Sequence, residues 1–511
     1  MRAAAARLKT QAFSPDKECS HEMTAEPHLA KSEGADPEQP SSGSSWRAAI
    51  AIMGVALVLG GGLRFYHLDA TELDQSEAVL WLAACAPTIG GVIRTGLRYE
   101  PGTFGVYEIV LHGWINRFGD GIVAMRVLSA ILGTLAILLL FVAVREIFDS
   151  LDEGADPPAE LVAAFAALIF ACNLQMIAST RVARMYSLVL VLVFAQIFFF
   201  VRSHRRTGIL NCVAAAVLTA LAVASHYAMV SFFTGETLWL VHLWYLERGR
   251  IESISLLRPA IALALAAVLF APLLVTAVGT GAGAFHSGIL DFIEPQPPWW
   301  PLRALRTVSG NAAFWPFAGL AIFGVWYRWN RARRGTVFVL LWLVTPFALA
   351  LAVSYTITPF MVVRYVLLSF VAFFVLVALG LASLPGDGLR YGLAAVVIAQ
   401  SLAHVHHDWQ KLEYFKWREA AEVAASSVQR GEKIAILPAA ALAPVLYYLP
   451  RDESAMAIPA GSRCGPEPVL IVFGLSVMPR DAVNAVESCY PRTLRSFGLL
   501  EVRARLDSPS R

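Results

Sequence analysis

The chain is 511 residues long, 57% apolar and only 15% charged, with a formal net charge of +3. Soluble domains average about 45–50% apolar and about 25% charged residues, so this composition cannot coat several globular surfaces and describes an integral membrane protein. It excludes a disordered scaffold and a fibrous protein, and so small a net charge gives no footprint for a nucleic-acid partner.

Residues 1–46 are rich in Ala, Ser, Glu and Pro and predict a disordered cytoplasmic tail. The apolar run that starts near Ala48 lacks the short h-region and cleavage site of a removed signal. It reads as a retained first membrane helix. A spanning helix needs about 20 apolar residues. On that length the candidates are 47–66, 121–144, 161–178, 183–201, 209–225, 228–246, 257–278, 312–328, 336–355, 363–383 and 388–405. They make an all-α polytopic transmembrane domain over 47–405, with about eleven spans.

Arginines fix the orientation. Arg202, Arg205 and Arg206 cluster in one short loop, Arg248, Arg250 and Arg258 in a second, and Arg328, Arg331, Arg333 and Arg334 in a third, with Arg390 in a fourth. Alternating spans put these loops on one side, which the positive-inside rule makes the cytoplasm. The loops offer no matching constellation of acids, His or Tyr. The N-terminus is then inside, while 67–120 and 406–511 lie outside.

In the external loop 67–120, the patches 76–95 and 104–118 are too short or too polar to span and predict interfacial helices. The segment 279–311 carries "EPQPPWWP", a headgroup-level anchor or lid. From Asp408 the helix-like "WREAAEVAASSVQ" alternates with strand-like "KIAILP" and "PVLIVFG", which predicts a small α/β domain over 406–511. Cys464 and Cys489 share that tail and would face an oxidising compartment, where a disulfide competes with two separate thiols.

Ionisable groups near membrane depth are costly, so each carries a functional reading and a structural rival. Asp74 and Glu77 stand three apart and share one helix face. A carboxylate at the interface loses solvation and becomes a stronger base. The same D-x-x-E spacing is also a capping box. Arg181 and Arg184 are likewise three apart, with guanidinium forks that suit phosphate oxygens or snorkel to headgroups. Tyr186, His226, Tyr227, Arg364, Tyr365 and Glu100 complete the externally facing set. The "HVHHD" run at 404–408 matches no metal-ligand spacing.

Three stretches carry a family resemblance: "GGGLRFYHLDATELDQSEAVLW", "YEPGTFGVYEIVLHGWINRFGDGIVAMRVLSAILGTLAI" and "STRVARMYSLVL". With "SHY", "RY", "DWQKLEYFKWREAAEVA" and "YYLP" further on, the chain resembles the bacterial GT-C glycosyltransferases related to family 39, over roughly residues 60–450. Those enzymes include protein O-mannosyltransferases, the aminoarabinose transferase of lipid A and Rgt-type lipopolysaccharide transferases. Two departures stand out. The family's Asp of "DEA" falls on Ser76, and its Glu of "EARMY" falls on Val182. Both remove a carboxylate, so a divalent metal is disfavoured and no cofactor is expected.

The resemblance implies that this outside is the periplasm of a bacterial inner membrane. It also implies inverting transfer of a sugar from a polyprenyl-phosphate donor to a hydroxyl of a lipid, glycan or protein acceptor at the outer face. Asp74 or Glu77 would be the base, and Glu100 would belong to the loosely matched Pro-rich turn of the substrate site. Arg184, with Arg181 or Arg364, would stabilise the phosphate leaving group, and His226 and Tyr227 would line the pocket. A secondary transporter is the rival from another class, and a non-catalytic envelope-assembly protein is the third. A transporter predicts midplane charges and related halves.

Overall fold

The computed structural model describes residues 42–505 apart from 100–102, 153, 206–207, 247–255, 287–295, 330, 358–360, 410–415, 429–432, 438–440, 450–456, 460–466, 468, 474–479 and 498. The chain opens with α1 (Ser42–Phe65), then three short helices, α2 (Gln75–Ala84), α3 (Ile89–Tyr99) and α4 (Val106–Phe118). The helical body continues through α5 (Ile122–Leu151), α6 (Ala159–Cys172), α7 (Leu174–Arg181), α8 (Tyr186–Arg205), α9 (Ile209–Ser225) and α10 (Met229–Leu246). It is completed by α11 (Leu257–His286), α12 (Trp300–Val308), α13 (Phe314–Trp329), α14 (Arg334–Thr356), α15 (Leu367–Ala382) and α16 (Asp387–Trp409), with a 3-10 turn at Val363–Val366 before α15.

Every predicted span falls on helix, but the spans are not alike. Among the described residues six helices are long and apolar enough to cross a membrane, or seven if the bent pair α6–α7 counts as one. Helices α9 and α13, at 17 and 16 residues, are shorter than the about 20 residues that cross the hydrocarbon core upright. The third span, expected over 161–178, is a bent pair of helices. It bends by 67° between α6 and α7, where Asn173 caps α7 by accepting from the amides of Gln175 and Met176. Helix α1 starts at Ser42, and residues 1–41 of the expected tail lie outside the described part.

Burial identifies the centre of the bundle. In the most apolar 18-residue stretch of each, 94% of the residues of Val363–Ala382 are buried but only 28% of those of Asp387–Trp409, so α15 is the axis and α16 is peripheral. Close approach of α13 to α15 needs glycine on both sides. A Cβ on Gly380 would stand 2.0 Å from the Leu320 carbonyl oxygen, and one on Gly324 would stand 2.5 Å from the Gly380 nitrogen. Small residues at a helix crossing provide the packing that joins membrane helices in the absence of a hydrophobic drive.

Helix α5 measures the bundle. Arg126 lies in its second turn and Leu151 at its end, roughly 38 Å apart at 1.5 Å per residue, against about 30 Å of hydrocarbon. The two ends therefore belong to opposite membrane faces. At the Leu151 end the structure corrects the expectation of arginines without acids. Asp152 meets Arg328 at 3.7 Å, Glu146 meets Arg202 at 3.9 Å, and Tyr327 donates to Asp156. These partners are up to 176 residues apart, so loop composition could not pair them.

The C-terminal part holds α17 (Trp417–Val428), β1 (Ile434–Leu437), α18 (Leu442–Tyr448), β2 (Ala457–Pro459), β3 (Val469–Phe473), α19 (Arg480–Cys489), β4 (Arg492–Phe497) and β5 (Leu500–Ala504). The strands form one sheet in the order β2-β1-β3-β5-β4, parallel through β3 and antiparallel beyond it. Alternation sorts its faces. Ile434, Ile436, Val469 and Ile471 pack with Trp417 on one side, and Ala435, Leu470 and Val472 pack with Val486 and Tyr490 on the other. Cys489 is in a disulfide, and its expected partner Cys464 lies outside the described residues. Ser42–Arg511 is one compact unit.

Candidate active site at the first loop and the α7–α8 break

Helix α2 begins with a complete capping box. Asp74 Oδ1 accepts from the Glu77 amide at 2.7 Å, and Glu77 Oε2 accepts from the Asp74 amide at 3.2 Å. Two of the orphan amides of the first turn are thereby satisfied. Asp74 Oδ1 also accepts from Ser76 Oγ at 2.8 Å, so the serine that replaces the expected acid orients the remaining one. Asp74 is half-buried, and its Oδ2 accepts no hydrogen bond among the described residues.

Glu77 is 1% exposed and fully engaged. Its Oε1 accepts from Arg126 Nε at 2.9 Å and from the Ala183 amide at 2.7 Å, and its Oε2 accepts from Arg126 Nη2 at 2.6 Å. With the Asp74 amide, all four lone-pair positions of the carboxylate are used. The same guanidinium donates through Nη1 to the Leu68 and Thr71 carbonyls, at 2.8 and 2.9 Å, and through Nη2 to that of Glu72 at 2.9 Å. One buried arginine thus sets the first loop, the start of α2 and, through Glu77, the α7–α8 break.

That break, Val182–Met185, is where the two expected arginines part company. Arg181 ends α7 and turns to the surface. It donates to the Tyr66 and His67 carbonyls at 2.6 and 2.7 Å and sits over the Trp409 ring at 5.3 Å. Arg184 is 3% exposed and lies over the Tyr186 ring at 5.3 Å. The bend above it is held by Arg64, whose Nη1 donates to Ala171 O at 3.0 Å and whose Nε donates to Thr180 Oγ1 at 2.9 Å. A carbonyl freed by a broken membrane helix has no water to turn to, so this contact permits the bend.

Around Arg184 the remaining expected residues converge. His226 stacks on Tyr227 at 5.2 Å, meets Tyr365 edge-on at 5.3 Å and lies 6.0 Å from the Tyr186 ring. Tyr365 also contacts Tyr227 at 5.8 Å, and Arg364 lies 5.7 Å from the Tyr365 ring. Burial, then the charges of Arg184 and Arg364, push the His226 imidazole down to about 3. It is neutral at physiological pH. Its Nδ1 accepts from the Ala228 amide at 3.2 Å, which assigns the proton to Nε2 and makes that nitrogen a donor. Glu100 lies outside the described residues.

Sequence reasoning missed several neighbours. Arg126 is the largest omission; a lone arginine near the start of an apolar 30-residue helix was the available signal. Tyr107 bonds Ser129 Oγ at 2.9 Å, and burial with the nearby charges of Glu77 and Glu108 raises its hydroxyl. The C-terminal part also reaches the site. Tyr448 accepts from the Leu73 amide at 3.2 Å, Glu72 accepts from the Arg418 amide at 3.2 Å, and Tyr447 donates to the Asp120 carbonyl at 3.1 Å. Desolvation pushes the Tyr448 hydroxyl up to about 12, so it stays protonated.

Chemically, the site joins a half-free carboxylate on one rim to buried guanidinium groups and a neutral imidazole donor. Among the described residues no group of three or more His, Cys, Asp or Glu is placed to hold a metal ion. A cleft of roughly 560 Å³ opens beside Val363, lined by Gln296, Pro297, Trp300, Arg303, Ala304 and Thr307. The paired tryptophans divide there: Trp300 is buried and Trp299 is exposed.

No family model matches the sequence, and no curated protein matches it. Solved structures do. ArnT from Cupriavidus metallidurans in the apo state superposes with a TM-score of 0.60 at 14% identity, covering 92% of this chain and 100% of that one. The archaeal oligosaccharyltransferase AglB from Archaeoglobus fulgidus, in complex with an inhibitory peptide and a dolichol-phosphate, gives 0.56 at 12% identity over 86% of this chain and 71% of its own. The arabinofuranosyltransferase AftD from Mycobacteria gives 0.51 at 13%, covering 90% of this chain and 40% of that one. Identities this low speak to architecture alone, and that architecture is the GT-C fold of membrane glycosyltransferases.

Proposed function

We propose that the chain is a membrane glycosyltransferase that moves a sugar from a polyprenyl-phosphate donor to an acceptor hydroxyl, with inversion, at the periplasmic face of a bacterial inner membrane. The observation that carries this reading is a half-free Asp74, tied through Glu77 to the α7–α8 break, beside buried Arg184 and His226 and half-buried Arg364. Support for the donor class comes from ArnT, which is also solved bound to undecaprenyl phosphate, and from AglB with dolichol-phosphate.

In this mechanism Asp74 takes the proton of the acceptor hydroxyl through Oδ2. The acceptor oxygen attacks the anomeric carbon, and the bond from that carbon to the lipid phosphate oxygen breaks. The leaving phosphate gains negative charge, which Arg184 and Arg364 offset and to which His226 Nε2–H donates. Fixed donors aimed at developing charge are the largest single source of catalysis in most enzymes. Glu77 is a positioning residue, because a carboxylate already accepting four hydrogen bonds has no capacity for a further proton acceptor role. Arg181 is a brace for the Tyr66–His67 corner.

Incubating the purified protein with a labelled polyprenyl-phosphate sugar and membrane lipids tests the reading; release of polyprenyl phosphate with a new glycoside is expected. One observation favours a second reading. Gln196 Nε2 donates to Glu236 Oε2 at 3.0 Å, both buried within α8 and α10, the kind of intramembrane polar pair a transporter would use. Uptake of a sugar into proteoliposomes without polyprenyl-phosphate release would favour that alternative.

A further inference from the structure

At the membrane face opposite the site, the ends of α13, α15 and α16 enclose a second cleft of roughly 390 Å³. Its lining includes Asp156, Trp326, Tyr327, Arg331, Ser383 and Arg390. We infer that this cleft binds the phosphodiester headgroup of an anionic phospholipid of that leaflet, a site separate from the proposed donor site.

The charges in the cleft favour an anion. Among the described lining residues two arginines face one carboxylate, Asp156, whose oxygen is already taken by the Tyr327 hydroxyl inside the wall. Arg331 lies 4.0 Å from the Tyr327 ring and makes one described hydrogen bond, from Nη1 to Tyr327 O at 2.7 Å, which leaves most of its fork available. Arg390 donates to Asp387 Oδ1 at 3.1 Å and to Leu384 O at 3.0 Å, while its Nε is buried with no partner. A buried donor without an acceptor is costly, and a phosphate oxygen in the cleft would satisfy it.

The position favours a lipid over a soluble anion. Trp326 is 67% exposed and Trp329 is 43% exposed along the outer surface of α13, at the depth where aromatic residues mark the headgroup level. The two arginines come from the α13–α14 loop and from α16, about sixty residues apart, so the cleft is built by the fold rather than by one basic run. Snorkelling arginines need no such enclosure. An acyl chain would leave the cleft past Phe323 and Trp326 into the bilayer.

The test uses the full-length protein, delipidated in detergent and titrated with phosphatidylglycerol or phosphatidylcholine, with bound lipid counted by native mass spectrometry. Wild-type protein should hold phosphatidylglycerol in preference to phosphatidylcholine. Arg331→Gln should weaken that binding on the order of tenfold, the loss typical of one charge-assisted hydrogen bond. Arg331→Lys should recover part of it. Trp326→Ala keeps both arginines and should shorten retention of the same lipid. Melting temperatures in phosphatidylcholine nanodiscs should match wild type, which separates lost binding from lost folding. Equal retention of the two lipids by wild type, or unchanged phosphatidylglycerol binding in Arg331→Gln, overturns the inference. Displacement of phosphatidylglycerol by stoichiometric polyprenyl phosphate at this cleft also overturns it, because the site would then read a phosphate monoester.

Discussion

Arg126 and Glu77, 49 residues apart, form a two-pronged buried ion pair, with Nε to Oε1 at 2.9 Å and Nη2 to Oε2 at 2.6 Å. Each partner also holds a different segment in place. Arg126 gathers the carbonyls of the first loop, and Glu77 holds the Ala183 amide at the α7–α8 break. The pair is therefore the joint that fixes the distance between Asp74 and Arg184.

Breaking a buried pair by removing one partner leaves an uncompensated charge and costs about 3–5 kcal/mol. Arg126→Gln and Glu77→Gln should each lower the thermal midpoint markedly in detergent. The double variant should fall well short of the sum, because both singles remove the same interaction. Additive losses would mean that the two residues act independently.

The capping role of Asp74 can be separated from its chemistry. Serine is also a good N-cap, so Asp74→Ser keeps the start of α2 while removing the carboxylate. Both Asp74→Ser and Asp74→Asn should lower turnover about 100- to 10,000-fold, the range for loss of a general base, with little change in the donor concentration needed for half-saturation. Turnover near wild type in Asp74→Ser would remove Asp74 from the mechanism.

Much of this site was legible because its residues break patterns. Arg184, Tyr186, His226, Tyr227, Arg364 and Tyr365 are polar or aromatic groups at helix ends, where hydropathy already marks a boundary. Arg126 was hidden inside a long apolar helix, and its meaning depends on a partner 49 residues away. The kink at Asn173 was missed because one asparagine barely changes the hydropathy of a 20-residue window, although Asn is a strong N-cap. In the C-terminal sheet the apolar strands β1 and β3 were visible from composition. Strand β4, "RTLRSF", was not, since an exposed edge strand carries charges that read as loop.

Arg126 bears on metal dependence too. A carboxylate neutralised by a bidentate guanidinium has little charge left to attract a divalent cation, and among the described residues Asp74 joins no group of three metal-ligating side chains. Turnover should be unchanged after dialysis against excess EDTA. Activity that disappears and returns with added Mg²⁺ or Mn²⁺ would show that a divalent metal takes part in the reaction.

His226 predicts a distinct response to acid. The folded imidazole titrates at about 3, because burial and the charges of Arg184 and Arg364 disfavour its cation, whereas an unfolded histidine titrates near 6.5. Between these values the unfolded chain holds the extra proton, so acid favours unfolding. The stability tied to a neutral His226 is whole above about pH 6.5. It is lost at about 1.4 kcal/mol per unit as the pH falls, until the folded imidazole itself protonates near 3. His226→Gln keeps a donor and cannot titrate. Between pH 7.5 and pH 5.0 the wild type should therefore lose about 2 kcal/mol more stability than the variant, read from denaturant midpoints at both pH values. Equal losses would show that His226 is already accessible to protons in the folded protein, and its role as a fixed neutral donor to the leaving phosphate would fall with that result.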